Sequence, residues 1–467
     1  MALLDPPASR IDQVVQAIRQ RIDRRMLTPG ARLPSVRAMA ERSGVSKSTV
    51  VEAYDRLMAD GTIHSRPGSG FFVAAPLAPL AIAAIEPRED CQIDPMWMLR
   101  QSLQPAPGAL MPGCGWLPEE WIAGEALGRA LRTVAREGMS EPMQGYSVPA
   151  GFEPLRRLIA RRLMEQGVEA SPDQLLITDS GTHAIDLVLR FLIEPGDTVM
   201  IDDPSYFNFQ ALLRAHRAKV VGVPMTPTGP DPIAFARLAA EHRPRVYITN
   251  AAVQNPTGAC LSATTAHRIL KTAEAHDIVI VEDEIFADFE DQPSPRYAAF
   301  DGLERVIRIG SFSKSLSSAI RLGYVAARAD WIGPITDLRI ATGISGSLLA
   351  ARLMTKALTD SSYRRHMDRL RARLSRSRQH VAHRLASIGV LPWTTPASGI
   401  FLWCKLPDGA DAAEVARRGL KEGIVFAPGD VFSVERSWGS YMRFNTAMMA
   451  DDRIYETLGR LLRDGSR

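Results

Sequence analysis

Between residues 175 and 327 one pattern recurs along the chain: a short apolar run bounded by turn residues, then a stretch of helical periodicity. The runs are Leu175–Thr178, Thr198–Ile201, Val220–Val223, Val246–Thr249, Val279–Val281, Val306–Ile309 and Tyr324–Ala327. Runs this short, rich in Val and Ile, read as buried strands rather than helices. Strands that alternate with helices predict a mostly parallel α/β sheet. The stretches Gly399–Lys405, Gly423–Ala427 and Tyr441–Asn445 predict a smaller α+β lobe near the C-terminus.

The first 75 residues follow different rules. Ile11, Val14, Val15, Ile18 and Ile22 recur at helical spacing, and Thr28-Pro29-Gly30 ends that helix. Ser35 caps a second helix to about Arg42, Gly44-Val45-Ser46 makes a tight turn, and Ser46 caps a third helix from Lys47 to about Asp60. Helix, short glycine turn, helix is the helix-turn-helix order. The third helix puts Lys47, Ser48 and Thr49 in its first turn, the part a recognition helix presents to DNA. The runs Thr62–Arg66 and Phe71–Val73 flank Pro67-Gly68-Ser69-Gly70, a hairpin that makes a wing.

Charge agrees with this division. The net charge is +4, and residues 1–75 hold 11 Lys and Arg against 7 Asp and Glu, so the whole excess is N-terminal and the remainder is neutral. With 46% hydrophobic and 23% charged residues the 467-residue chain is neither disordered nor fibrous. No apolar stretch is long enough to span a membrane, and residues 1–20 lack a signal-peptide core, so a cytoplasmic protein is expected. Cys91, Cys114, Cys260 and Cys404 lie far apart without paired metal spacing; buried free thiols and no metal site are expected. An Ala/Pro-rich stretch from Ala74 to about Gln92 reads as a linker.

Open α/β sheets bind ligands beyond the carboxyl ends of their strands, and chemistry gathers there. Ser311-Phe312-Ser313-Lys314 follows Val306–Ile309 and holds one of only seven lysines, with Arg321 seven residues on. Ser180-Gly181-Thr182 follows Leu175–Thr178 and opens a helix, which makes an anion site. Asp283 follows Val279–Val281, where a carboxylate can hold a ring nitrogen protonated. Asn255-Pro256-Thr257-Gly258 follows Val246–Thr249. Phosphate cradle, amine and acid together point to pyridoxal 5'-phosphate.

These motifs carry two resemblances. Leu33-Pro34-Ser35-Val36-Arg37, Gly44–Val50, Gly61 and Gly68–Val73 resemble the winged helix-turn-helix of the GntR family. That resemblance implies DNA contacts by Arg37 and Lys47, with Ser48 and Thr49 beside them and Arg66 and Gly68 in the wing. From about residue 107 to 467 the chain resembles fold-type I aminotransferases of class I/II, through Gly145-Tyr146, Ser180-Gly181-Thr182, Asp203–Tyr206, Asn255–Gly258, Asp283, Ser311–Lys314, Arg321–Tyr324 and Arg443. It implies an internal aldimine on Lys314, Asp283 at the pyridinium nitrogen, Asn255 at the phenolic oxygen and Tyr206 stacked on the ring. Gly181, Thr182, Ser311 and Arg321 then hold the phosphate, joined by Tyr146 across a dimer interface, and Arg443 clamps a substrate or effector carboxylate. Two positions depart from the pattern: Phe286 stands where the class usually places a Tyr hydroxyl, and His183 replaces another polar residue behind the phosphate.

Both resemblances in this order are those of the MocR subfamily of transcription regulators. They imply a winged helix in residues 1–75, a linker in 76–106 and an aminotransferase-like domain in 107–467, with a large lobe at about 145–340 and a small one at about 341–467. They further imply a homodimer, a double-stranded DNA operator, and an amino-acid-like effector sensed through aldimine formation. Two other readings stay open: a working aminotransferase, and a regulator that senses pyridoxal phosphate itself.

Overall fold

The computed structural model describes residues 9–23, 26–28, 30–66, 69–74, 95–137 and 146–465. The chain divides into two compact units, Met1–Asp90 and Cys91–Arg467.

In the first unit, α1 (Arg10–Asp23), α2 (Val36–Ser43) and α3 (Lys47–Ala59) precede an antiparallel hairpin of β1 (Ile63–Arg66) and β2 (Gly70–Val73). The expected caps are in place. Ser35 accepts a hydrogen bond from the Ala38 N–H, and Ser46 from the Thr49 N–H. Between them Gly44 takes the left-handed conformation (φ 62°) and donates its N–H to the Ala40 carbonyl, a position that costs a side chain about 1 kcal/mol but glycine little. Val14, Val15 and Ile18 of α1 meet Val50, Ala53, Tyr54 and Leu57 of α3 in one core. Tyr54 is wholly buried, and its hydroxyl donates to the Pro34 carbonyl at 2.8 Å. Wing residue Gly68 lies outside the described residues, as do Pro29, Cys91 and Gly145.

The second unit is built on an eight-stranded sheet. Its strands are β3 (Leu175–Thr178), β4 (Thr198–Asp203), β5 (Lys219–Thr226), β6 (Gly229–Pro230), β7 (Val246–Thr249), β8 (Val279–Asp283), β9 (Val306–Ser311) and β10 (Gly323–Ala326). They lie in the order β3-β10-β9-β8-β7-β4-β5-β6. Strands β9, β8, β7, β4 and β5 pair in parallel, whereas β10 runs against both β3 and β9. All seven expected strands are present. Apolar clusters cover both faces: Met200, Tyr247, Ile280 and Val306 on one, Leu176, Ile201, Ile248 and Ile307 on the other.

A second, antiparallel sheet has β11 (Leu391–Pro392), β12 (Phe401–Lys405), β13 (Ala427–Pro428) and β14 (Tyr441–Asn445), in the order β11-β12-β14-β13. Of the expected strand Gly423–Ala427 only the end enters this sheet. The rest bonds to an earlier segment: Leu110 donates to the Gly423 carbonyl and accepts from the Val425 N–H, each at 2.8 Å.

Two further departures concern boundaries. The helix Pro95–Leu103 lies within the stretch expected to be linker, yet Met98 is wholly buried against Phe207, Trp403, Val425 and Phe432. Residues just beyond the Ala/Pro-rich run are therefore part of the second unit. Past residue 341, Ala351, Met354, Tyr363, Leu370 and Leu374 pack into the core of the large sheet, and only from Val381 does the long helix Ser361–Ala386 join the small lobe's core. Apolar helical stripes look alike wherever they dock, so periodicity did not reveal this. Cys114 and Cys404 are buried thiols, and Cys260 is only half-buried. Among the described residues no helix is long and apolar enough to cross a membrane.

Replacing Ser46 with Ala removes the side-chain acceptor of the Thr49 N–H at the start of α3. The expected loss is about 1 kcal/mol of stability in the first unit, read as a lower urea midpoint for its unfolding; an unchanged midpoint refutes the capping role.

Candidate functional site

The carboxyl ends of the parallel strands open into a cavity of about 450 Å³. Nine of the ten residues to which the resemblance assigns the cofactor or effector line it together: Gly181, Thr182, Tyr206, Asn255, Asp283, Ser311, Lys314, Arg321 and Arg443. Tyr146 does not line it and is 81% exposed.

Lys314 is half-buried in a turn after β9. Desolvation in the cavity, reinforced by the Arg443 and Arg321 guanidinium groups and opposed by Asp283, lowers its pKa to about 8. A neutral amine is thus accessible near physiological pH. Asp283 ends β8, and period-two alternation sorts it from its acidic neighbours. Glu282 accepts from the Tyr297 and Ala298 N–H groups, and Glu284 accepts from Arg296, while Asp283 faces the cavity. Burial pushes the Asp283 carboxyl up to about 7, against a hydrogen bond from the Ile285 N–H. Its ionised form therefore gains from a cation placed in the cavity.

Ser180 caps the helix Gly181–Leu192 by accepting from the His183 N–H at 3.0 Å. The first N–H groups of that helix have no acceptor within it, which leaves an anion cradle. Gly323 of β10 makes the cradle possible: a Cβ there would come within 2.5 Å of the Ser180 carbonyl carbon and 2.6 Å of the Gly181 nitrogen. Ser311 Oγ lies 3.0 Å from Ser313 Oγ and 3.1 Å from the Leu322 carbonyl, and Arg321 rises from a left-handed backbone (φ 54°) to the rim. His183 Nδ1 lies 3.4 Å from an Asp179 carboxylate oxygen and 3.4 Å from the Asp179 backbone nitrogen, whose N–H it accepts.

Arg443 is 1% exposed, and among the described residues no carboxylate figures in the charges that act on it. One terminal nitrogen donates to Asn255 Oδ1 at 2.8 Å and the other to the Gly113 carbonyl at 2.7 Å; Nε has no partner. Phe401 and Phe432 stack on the guanidinium at 4.2 and 4.7 Å. Desolvation lowers its pKa to about 10. A buried cation lacking a counter-ion is a receptor for a carboxylate. Phe286 is buried and meets Phe401 edge-on at 5.4 Å, so an apolar ring occupies that wall.

Sequence reading missed Asn250, Gly115, Trp116 and the Leu99–Leu103 wall of the same cavity. Asn250 had a signal, since it directly follows β7; the others come from loops and a helix ahead of the sheet and leave no local trace.

In the first unit, Lys47 and Ser48 are exposed at the start of α3 and Arg37 is exposed on α2. Thr49 is half-buried, with its hydroxyl 2.8 Å from Ser46 Oγ. Arg66 lies over the Phe72 ring at 5.0 Å.

Residues 121–461 match the family model for aminotransferase class I and II, and residues 10–73 match that of the gntR family of bacterial regulatory proteins. The chain is 29% identical to the HTH-type transcriptional regulator YdcR of Escherichia coli, over 97% of this chain and 99% of that protein. It is 28% identical to the regulatory protein MocR of Rhizobium meliloti, over 91% and 87% of the two chains. Among solved structures it is similar to LysN, the alpha-aminoadipate aminotransferase of Thermus thermophilus complexed with N-(5'-phosphopyridoxyl)-L-leucine. That likeness has a TM-score of 0.72 and 26% identity, over 79% of this chain and 95% of that one. An amine of lowered pKa, a buried acid and a helix N-terminus between hydroxyls and Arg321 form a donor set that fits pyridoxal phosphate, the cofactor this fold implies. The chain thus belongs to the class I and II aminotransferase family and, with its N-terminal gntR-family domain, is a DNA-binding regulator of MocR type.

Proposed function

We propose that the second unit holds pyridoxal 5'-phosphate at Lys314 and binds an amino-acid-like effector there, and that effector binding changes how the first unit engages its operator. The observation that carries this reading is the shared cavity in which the Lys314 amine, lowered to about pKa 8, meets Asp283 and the uncompensated Arg443. Bound pyridoxal phosphate supplies an aldehyde for amines and an electron-withdrawing ring.

The protein's groups divide the remaining work. Lys314 Nζ gives up its proton near pH 8 and so offers a nucleophilic amine. Asp283 holds a proton on the ring nitrogen side, and Asn255, its Oδ1 taken by Arg443, turns its amide N–H₂ to the phenolic oxygen. Tyr206 covers the ring. Gly181, Thr182, Ser311 and Arg321 bind the phosphate, and Arg443 receives the effector's carboxylate. In a homodimer, exposed Tyr146 reaches the partner's phosphate. Arg37, Lys47, Ser48, Thr49, Arg66 and Gly68 meet a double-stranded operator, with Lys47 acting as a point charge on phosphate.

An intact Lys314 and Asp283 pair favours a second reading, full transamination. Phe286 opposes it, because no hydroxyl at that position tunes protonation at the phenolic oxygen.

Three outcomes test the proposal. Lys314→Ala abolishes the visible absorption of the protein incubated with pyridoxal phosphate and, with it, any effect of amino compounds on operator binding; a variant that keeps both overturns the role of Lys314. Capture of the cofactor by cofactor-free protein rises with pH through about 8, because only the neutral amine reacts and Lys314 loses its proton there; a rise delayed toward the ordinary lysine range contradicts the desolvated site. Lys47→Ala reduces the slope of log affinity against log salt for operator DNA by about 1, whereas an unchanged slope removes Lys47 from the phosphate contacts.

A further inference from the structure

Only four side chains that carry a full charge line the cavity among the described residues: Asp283, Lys314, Arg321 and Arg443. On the reading just given, each is already engaged, by the ring nitrogen, the amine, the phosphate and the effector's carboxylate. Nothing charged remains for the effector's far end. A charged group brought into this cavity would lose hydration without gaining a counter-ion.

What remains is a few uncharged polar groups, Asn208, Asn250, Ser313 and Ser318 among them, and one apolar wall. Gly115 adjoins the reactive groups: a Cβ on it would lie 3.8 Å from Lys314 Nζ and 4.0 Å from an Arg443 terminal nitrogen. Trp116 is the next residue and lines the cavity too. Leu99, Ser102 and Leu103 follow at helical spacing on one face of the helix Pro95–Leu103, and Leu212 comes from the helix Phe207–Ala215 that packs against it. This wall is held firmly, because Met98 is wholly buried among Phe207, Trp403 and Phe432. Leu103 serves no core, being 65% exposed at the cavity's edge.

We infer that the effector is an amino acid with an uncharged, apolar side chain of the leucine or phenylalanine kind, received by Trp116, Leu99, Leu103 and Leu212 while Arg443 binds its carboxylate. The inference rests on the cofactor-and-effector reading, and extends it from amino compounds in general to one class. Side-chain burial drives the choice, since apolar surface leaves water on this wall while an isosteric acid or a lysine finds no partner.

The test titrates full-length protein, loaded with pyridoxal phosphate, with matched pairs of similar shape: leucine against aspartate, and norleucine against lysine. The readout is the change in the visible band. The apolar member of each pair half-saturates at a concentration about tenfold or more below its charged partner. Leu99→Ala raises the leucine half-saturation several-fold, and Leu99→Asp removes the preference for leucine; near-ultraviolet circular dichroism reports whether each variant folds, and the Ala variant decides if the Asp one does not. Aspartate or lysine acting at equal or lower concentration overturns the inference, as does a folded Leu99→Ala variant with unchanged leucine response. A wild-type protein that develops no visible band overturns the cofactor reading, and the effector class with it, so the two failures are told apart.

Discussion

Arg443 is a cation sealed from water with no carboxylate partner among the described residues, and three parts of the second unit are arranged around that constraint. Two of its donors are met, by Gly113 from the segment ahead of the large sheet and by Asn255 after β7, while the residue itself sits on β14 of the small sheet. One guanidinium therefore ties three parts of the chain together. Phe401 and Phe432 cover its faces and keep water from it. Burying a charge this way is costly unless something anionic is to be bound, because desolvation is repaid only by a partner. The lowered pKa of Lys314 has the same origin, with Arg443 adding repulsion to loss of hydration.

The acid side of the site is built by a different device. Three consecutive carboxyl groups stand at this strand end, Glu282 and Asp283 on β8 and Glu284 just beyond it, and extended backbone cannot point all three the same way. Glu282 turns to the N-terminal N–H groups of the helix Tyr297–Asp301, and Glu284 pairs with fully buried Arg296, which also binds Glu290. Those partners keep the two flanking acids out of the cavity and hold the strand end in register. Among the described residues Asp283 is left as the single carboxyl facing the ligand space. Further along, half-buried Asp288 accepts from Arg162 and from Ser315, the neighbour of Lys314, so the turn that carries the amine is braced from behind.

Much of this could be read from residue order. The α3 cap at Ser46, the left-handed Gly44 and the buried stripe of Val50, Tyr54 and Leu57 are properties of short windows. The large-sheet strands were legible because strands covered on both faces are nearly all apolar, and Lys314, Asp283 and Asn255 because each follows such a strand. Less legible were elements whose place depends on docking. The helix Pro95–Leu103 sits beside an Ala/Pro-rich run and has few local signals, so nothing before folding marked Leu99 or Leu103 as cavity wall. Residues 348–374 carry ordinary apolar stripes, and only packing assigned them to the large sheet. The pairing of Leu110 with Gly423 and Val425 replaced part of an expected strand because an edge takes whichever partner arrives.

Residue order alone carries the two-part plan, the helix-turn-helix, the α/β sheet and the separate residues that supply amine, acid and anion-binding chemistry. Caps, turns and strand periodicity act over a few residues, and those signals survive in linear order. Tertiary structure decided what those residues do to each other. Arg443 became an uncompensated cation only when Asn255 and Gly113, 188 and 330 residues away, closed on it. Lys314 became a weak base only on losing water in the company of Arg443 and Arg321. Burial and through-space charge are set by contacts that sequence separation does not encode, and so the reactivity of the site, unlike its inventory, belongs to the fold.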